Sequence, residues 1–250
     1  MSEGEKASAT DLLGGRLRLM QPAKGYRTAI DPVLLAAAAP ETGWTRALDV
    51  GAGTGAVMLC LLARVGHGQV TGLECLEEHA ALAEASLALN GLEARGAILR
   101  GDVLARPAPV PANAFDLVLT NPPYHGPGSA SPHPGRAAAH REAVPLDAWV
   151  RFCLRALRPG GRLCLIHRAD RLDALLAALS GKAGAVEILP LWPKAGRPAK
   201  RVILRAIKGR GTPPVLLPGL VLHAAAGGYT MAAEKVLREG LSLDAALDVY

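Results

Sequence analysis

Residues Ala47-Leu48-Asp49-Val50-Gly51-Ala52-Gly53-Thr54-Gly55 decide how the chain is read. A short apolar strand runs into a glycine turn, and an apolar stretch with helical spacing continues to about Arg64. Glycines at such a junction let the backbone turn sharply and let a ligand lie against the main chain. Downstream the alternation repeats. Residues 69–74, 97–100, 115–120 and 162–167 predict strands, while 77–90, 146–157 and 172–179 predict helices. Gly91 and Pro159-Gly160-Gly161 are stop signals for two of these helices. Such regular alternation predicts an α/β fold with a doubly wound, mostly parallel sheet and right-handed crossovers.

Outward from this core the pattern changes. Residues 186–190 and 201–207 predict two strands joined by a Pro/Gly/basic loop, an antiparallel hairpin at a sheet edge. After Gly211 come a Pro-rich stretch, the apolar residues 216–223 and a last helix over 231–238. Upstream, residues 30–39 predict a helix closed by Pro40 and Gly43. Residues 1–12 lack periodicity and are expected to be a loose tail. The chain of 250 residues, half of them apolar, can bury one core and does not require two domains. The expected division is a tail (1–12), a cofactor-covering segment (13–45), a Rossmann-like core (46–210) and a C-terminal extension (211–250).

Composition excludes little and points weakly. Cys60, Cys75, Cys153 and Cys164 form no CxxC pair, so reduced, mostly buried thiols are expected and no zinc site. His125, His133 and His140 share one loop, but the Gly and Pro residues between them make it a poor ligand scaffold, and no metal is expected. The N-terminus is polar, with no basic segment leading into an apolar one, and no apolar run is long enough to cross a bilayer. A cytoplasmic protein is expected. The net charge of +6 and pI near 9.4 permit a polyanionic partner. The excess of Arg over Lys and the abundance of Ala, Gly and Pro also suit a GC-rich coding sequence.

Three acids fall where the predicted strands end: Asp49, Glu74, and Asp102 with its neighbour Val103. Gly51, Gly53 and Ala56 satisfy the permissive dinucleotide pattern, so a nicotinamide cofactor has to be weighed. S-adenosylmethionine (SAM) carries a sulfonium, an ammonium and no phosphate, and a site with acids at successive strand ends suits it better than a pyrophosphate. Glu74 can take both ribose hydroxyls and Asp102 an adenine amino group. Thr120-Asn121-Pro122-Pro123-Tyr124 follows the fourth strand. An aromatic amine is a weak nucleophile because its lone pair is delocalised. The Asn121 side-chain oxygen and the Pro122 carbonyl can each accept one N–H, which holds the nitrogen and favours pyramidal geometry. The two prolines stiffen the loop, and Tyr124 can stack on a flat substrate.

Together these residues resemble the class I methyltransferases that act on planar amino groups. Gln21-Pro22-Ala23-Lys24-Gly25-Tyr26-Arg27-Thr28-Ala29-Ile30-Asp31, with Ala139-His140-Arg141-Glu142, the hairpin, Leu222-His223 and Gly228-Tyr229-Thr230, narrows this. The chain is similar over nearly its whole length to bacterial tRNA (adenine-N6)-methyltransferases of the valine tRNA type. The resemblance implies a Rossmann-like sheet of seven strands ending in the hairpin, SAM as cofactor, and the adenine immediately 3′ of the anticodon as substrate. It also implies that Tyr26, Arg27 and Asp31 cover the cofactor's methionine end, beside Asp49, Gly51, Gly53, Gly55, Glu74, Asp102, Val103 and Asn121. The chain departs from the pattern at His125-Gly126-Pro127, where an aromatic residue often follows the tyrosine.

From Ile188 to Ala233 there is no Asp or Glu, and Lys194, Arg197, Lys200, Arg201, Arg205, Lys208 and Arg210 lie in that stretch. Lys194, Arg197, Lys200 and Arg201 are the candidates for holding phosphates of a tRNA anticodon stem-loop. Other readings stay open: a release-factor glutamine-N5 methyltransferase, a ribosomal RNA guanine-N2 methyltransferase, and a silent RNA-binding protein that retains SAM.

Overall fold

The structure, a computed structural model, describes residues 7–22, 30–123 and 144–247. An antiparallel hairpin comes first, β1 (Ser8–Leu12) and β2 (Leu17–Gln21), joined by a 3-10 turn at Leu13–Gly15. Then follow α1 (Asp31–Ala37), β3 (Arg46–Val50), α2 (Ala56–Arg64), β4 (Gln69–Glu74), α3 (Glu77–Leu89), β5 (Gly96–Arg100) and β6 (Phe115–Thr120). After them come α4 (Leu146–Ala156), β7 (Leu157–Arg168), α5 (Leu172–Leu179), β8 (Ala183–Lys194) and β9 (Arg201–Lys208). The described chain closes with β10 (Val215–Leu216), β11 (Leu220–His223), α6 (Met231–Glu234), a π turn (Lys235–Glu239) and α7 (Leu243–Leu247).

Strands β5-β4-β3-β6-β7-β9-β8 form the main sheet in that order, and β10 and β11 each pair with a different stretch of β8. Among the described pairings in this sheet, β9 alone runs antiparallel. The mostly parallel architecture is as expected. The seven expected strands are present, and among the described residues two further short strands, β10 and β11, cover the edge of β8. The hairpin β8–β9 is therefore not at an edge. Its turn carries Pro and Gly, and β9 is inserted between β7 and β8.

Side chains in these strands alternate between two apolar cores, one on each face. Ala47, Leu117, Leu119, Cys164 and Ile166 face the first, with α1 and α2, while Leu48, Val50, Val118, Leu163 and Leu165 face the second, with α4 and α5. Leu119 is fully buried, and its truncation to alanine would cost about 2–5 kcal/mol. The chain leaves β3 toward β4 on one side, whereas β6 lies on β3's other side. The gap between the ends of β3 and β6 is thus the topological switch point, where sheets of this kind bind ligands.

The expectation of a loose tail fails at residues 8–12, which form β1. This strand gains its partner from β2, and β2 in turn is tied to α3. Ser86 Oγ accepts from the Met20 N–H at 2.9 Å, and Asn90 bonds both main-chain groups of Arg18. The hairpin also meets the C-terminal turn: Arg16 donates to the Arg238 carbonyl, and Leu13, Leu17, Val236 and Leu237 share the first core. The last helix, expected over 231–238, is α-helical only to Glu234 and widens into the π turn.

Candidate active site

The glycine turn after β3 is held by backbone bonds that only this geometry permits. Gly51 and Ala52 N–H groups both donate to the Leu73 carbonyl, at 2.9 and 3.0 Å. Gly51, Gly53 and Gly55 all have positive φ. A Cβ on Gly51 would sit 2.9 Å from the indole of Trp149, so a side chain is excluded by space as well as by φ. Glu74, at the end of β4, is almost fully buried. One of its oxygens accepts from the Gly53 N–H at 2.8 Å and the other from the Leu76 N–H at 2.9 Å. The acid that could serve a ligand thus already shapes the loop around it.

Gly51, Glu74, Asp102 and Val103 line one cleft, together with Cys75, Val144 and Trp149. Asp102 bonds the Leu104 N–H at 2.8 Å, which fixes the turn after β5. Asp49 lies deeper, on the face covered by α2, and neither of its oxygens has a hydrogen bond of ordinary geometry among the described residues. Burial pushes its pKa up to about 7, against the pull of the Met58 backbone N–H and with help from the Glu74 charge. Glu74 and Asp102 in the lining and Asp49 behind it, with no basic side chain among the described lining residues, suit a phosphate-free ligand bearing positive charge better than a pyrophosphate.

Asn121 follows β6 directly, in the gap between β6 and β3. Its Oδ1 is buried, and among the described residues no donor reaches it. A buried acceptor left open costs on the order of 1–3 kcal/mol, so its retention points to a partner that arrives with the substrate. The residues on either side are anchored. Thr120 Oγ1 donates to the Val50 carbonyl at 2.8 Å and accepts from the Trp149 indole N–H at 2.7 Å. Pro123 offers its carbonyl to His167, a buried imidazole near the end of β7. Burial holds the His167 pKa down to about 4, while the Pro123 bond raises it, so the ring is neutral at physiological pH. Asn121 and Pro122 therefore form a short span between two fixed points.

Other expected residues are placed differently. Asp31 does not meet the cleft among the described contacts. It is buried at the start of α1, where its Oδ2 accepts from Arg201 Nε at 3.0 Å. That bond also takes one of the four expected phosphate ligands into an ion pair. Lys194, Arg197 and Lys200 are exposed on the β8–β9 turn, and the Lys200 carbonyl accepts from Ala169 N–H just beyond β7, so the turn stands on the same rim as Asn121. Arg205 is paired with Glu187 and Asp244. Lys208 bonds Asn113 and the Leu157 carbonyl at the opposite rim, and Arg210 follows it there. Tyr26, Arg27, Tyr124, His125, His133 and residues 139–142 lie outside the described residues.

Trp149 and His167 were not singled out by the sequence. Trp149 reads as one more apolar residue of an amphipathic helix. His167 carried a faint signal, a polar residue closing an otherwise apolar strand. Cys60, Cys153 and Cys164 are buried and free, and burial raises all three thiol pKa values, to about 12 for Cys60 and Cys164. Among the described residues no helix is long and apolar enough to cross a membrane.

The sequence matches the methyltransferase small domain family over residues 30–187. A tRNA1(Val) (adenine(37)-N6)-methyltransferase of Aeromonas salmonicida is 30% identical over 82% of this chain and 85% of its own length. Among solved structures, a predicted O-methyltransferase from Agrobacterium tumefaciens is 29% identical, with a TM-score of 0.70 over 82% of this chain and 94% of its own. The Thermus thermophilus 16S rRNA N2 G1207 methyltransferase, in complex with AdoMet and guanosine, is 26% identical, with a TM-score of 0.54 over 86% of this chain and 48% of its own.

Proposed function

The chain belongs to the methyltransferase small domain family and to the family of its Aeromonas tRNA1(Val) (adenine(37)-N6)-methyltransferase relative, and from that premise we propose that it methylates N6 of the adenine 3′ of a tRNA anticodon. SAM, when bound, would supply an electrophilic methyl group to the amine, whose displaced proton would pass to solvent. The chain's own part is to bind, orient and exclude water. Glu74, Asp102 and Val103 line the cleft for the nucleoside end, and Asp49, once ionised, adds negative charge behind the glycine turn. Tyr26 and Arg27 are the candidates for covering the methionine end.

The single observation that carries this reading is the open acceptor, Asn121 Oδ1, at the end of β6 beside the cofactor cleft. An exocyclic amine brings two N–H donors, and Asn121 Oδ1 with the Pro122 carbonyl supplies two acceptors. A hydroxyl substrate, as for an O-methyltransferase, brings one donor and would leave one acceptor unpaired. Catalysis then rests on orientation and electrostatics, with Tyr124 as the candidate stacking ring and no strong general base required. The anticodon loop is unpaired already, so presenting its adenine costs less than extruding one from a duplex.

Lys194, Arg197 and Lys200 are the candidate phosphate ligands. They stand about 10–14 Å of sheet width from β6, on the turn between β9 and β8 at ordinary strand spacing, a span that a few nucleotides of the loop can bridge. Nucleoside analysis of total tRNA and of rRNA, with methyl-label analysis of the release factors, from a deletion strain tests the assignment. The expected result is selective loss of N6-methyladenosine. Loss of N2-methylguanosine in rRNA, or of methyl label from a release factor, would replace it with one of the rival methyltransferase readings.

A further inference from the structure

Trp149 touches both halves of the active site. Its indole lies against Gly51, the first residue of the cofactor turn, so closely that a Cβ there would come within 2.9 Å of the ring. Its N–H donates at 2.7 Å to Thr120 Oγ1, the residue before Asn121. That hydroxyl has one proton of its own and gives it to the Val50 carbonyl at 2.8 Å, so the direction of both bonds is fixed. Val50 and Thr120 are register partners across β3 and β6. The same indole also lines the cofactor cleft. A residue needed only to fill the second core could be phenylalanine. Here a buried indole N–H is matched to one buried hydroxyl, at the point where the strand carrying the glycine turn meets the strand carrying the amine acceptor.

We propose that Trp149 is a positioning residue that couples the cofactor turn to the amine-holding segment, so that occupation of the cleft sets Asn121 in place for transfer. A bound cofactor presses on the wall that Trp149 forms. The ring cannot shift without moving Thr120, because its N–H has no other partner among the described residues. Thr120 cannot shift without moving the main chain of Asn121. His167 holds the far end at Pro123, so the displacement is confined to Asn121 and Pro122. The chain of contacts is short, buried and hydrogen-bonded, and it has no slack to absorb motion.

This inference rests on the methyl-transfer reading of the same site, and two readouts separate their failures. Hydrogen exchange needs SAM and no substrate. SAM should raise protection of the segment Phe115–Asn121 in the wild type, and Trp149→Phe, which keeps a ring and deletes the N–H, should lose most of that rise while still binding SAM within about threefold of wild type. Single-turnover transfer to tRNA is the second readout. Trp149→Phe and Thr120→Val should each lower the rate about tenfold, the double variant should be no slower than Thr120→Val, and Thr120→Ser should recover most of what Thr120→Val loses. SAM affinity measured on each variant serves as the check that it folds. Equal SAM-induced protection in wild type and Trp149→Phe overturns the inference, as do additive rate losses. A wild type that shows Trp149-dependent protection but methylates no tRNA sinks the tRNA assignment and leaves the coupling standing.

Discussion

Asp116 and Asp49 sit on neighbouring strands, β6 and β3, near opposite ends of one sheet, and their carboxyl groups meet opposite surroundings. At the amino end, Asp116 accepts from the Thr45 and Arg46 N–H groups, from the Thr45 hydroxyl and from Arg158. Burial pushes its pKa up, but these donors outweigh it and hold the value down to about 2. At the carboxyl end, Asp49 is more deeply buried, lacks bonds of ordinary geometry and is pushed up to about 7. Asn121 beside it keeps an open oxygen as well. One rim has its polar groups satisfied within the chain, which stabilises the fold. At the other, Glu74 and Asp102 are bonded but the Asp49 oxygens and Asn121 Oδ1 stay open, which lowers stability and suits a ligand site.

The contrast can be broken most sharply at Asn121. Asn121→Ala should cut methyl transfer by about 100-fold, the scale of losing one aligned polar group in a transition state. The melting temperature should hold or rise slightly, since an unpaired buried acceptor is removed. A large fall in melting temperature would show that Asn121 belongs to the satisfied class after all. Asp116→Ala should do the reverse. It strands two backbone N–H groups and should cost about 2 kcal/mol, or about 4–8 °C in melting temperature for a chain of this size, with SAM affinity unchanged by calorimetry.

The two carboxyls should also give pH slopes of opposite sign. The folded pKa of Asp116 lies below its ordinary 3.8, so its stabilisation is present above that value and is lost as pH falls toward 2. The folded pKa of Asp49 lies above 3.8, so between about pH 4 and 7 the folded state holds the extra proton and stability declines as pH rises. Melting curves of Asp49→Asn should gain on wild type as pH rises from 4 to 7, and those of Asp116→Asn should lose least near pH 2. Because a cationic cofactor favours the ionised form, SAM affinity should tighten by up to about tenfold per unit up to pH 7 and level off above it. A flat profile in the wild type would remove Asp49 from the cofactor's field.

The smallest effect is expected on the surface. Arg197→Glu should weaken tRNA binding several-fold and lower its salt slope by about 1. Arg210→Glu, at the satisfied rim, should leave both unchanged. Equal losses would mean that charge acts through the whole protein rather than through the carboxyl rim.

What the sequence disclosed follows the same division. Strand ends, glycines and acids such as Gly51, Glu74 and Asp102 are legible because local chemistry places them: a strand ends, the chain turns, and the next residue faces the rim. The hairpin β8–β9 was legible for the same reason. Its neighbours were not, since β10 and β11 are short and gain pairing only from an edge built elsewhere. Asp31 and Arg201 are separated by 170 positions, and no pattern in either segment announces the other. The role of Trp149 is hidden too. Its apolar spacing in α4 is that of a core residue, and only the third dimension brings its N–H to Thr120.

The contact between the first hairpin and the C-terminal turn has a consequence for how the protein is made. Leu13 and Leu17 complete their core against Val236 and Leu237, and Arg16 finds the Arg238 carbonyl 222 positions later. During synthesis the central sheet can assemble as its strands emerge, but the hairpin that precedes it must wait for Val236 and Leu237, which follow it, before it can settle. The segment from β1 to β2 thus leaves the ribosome before the central sheet and reaches its place after it.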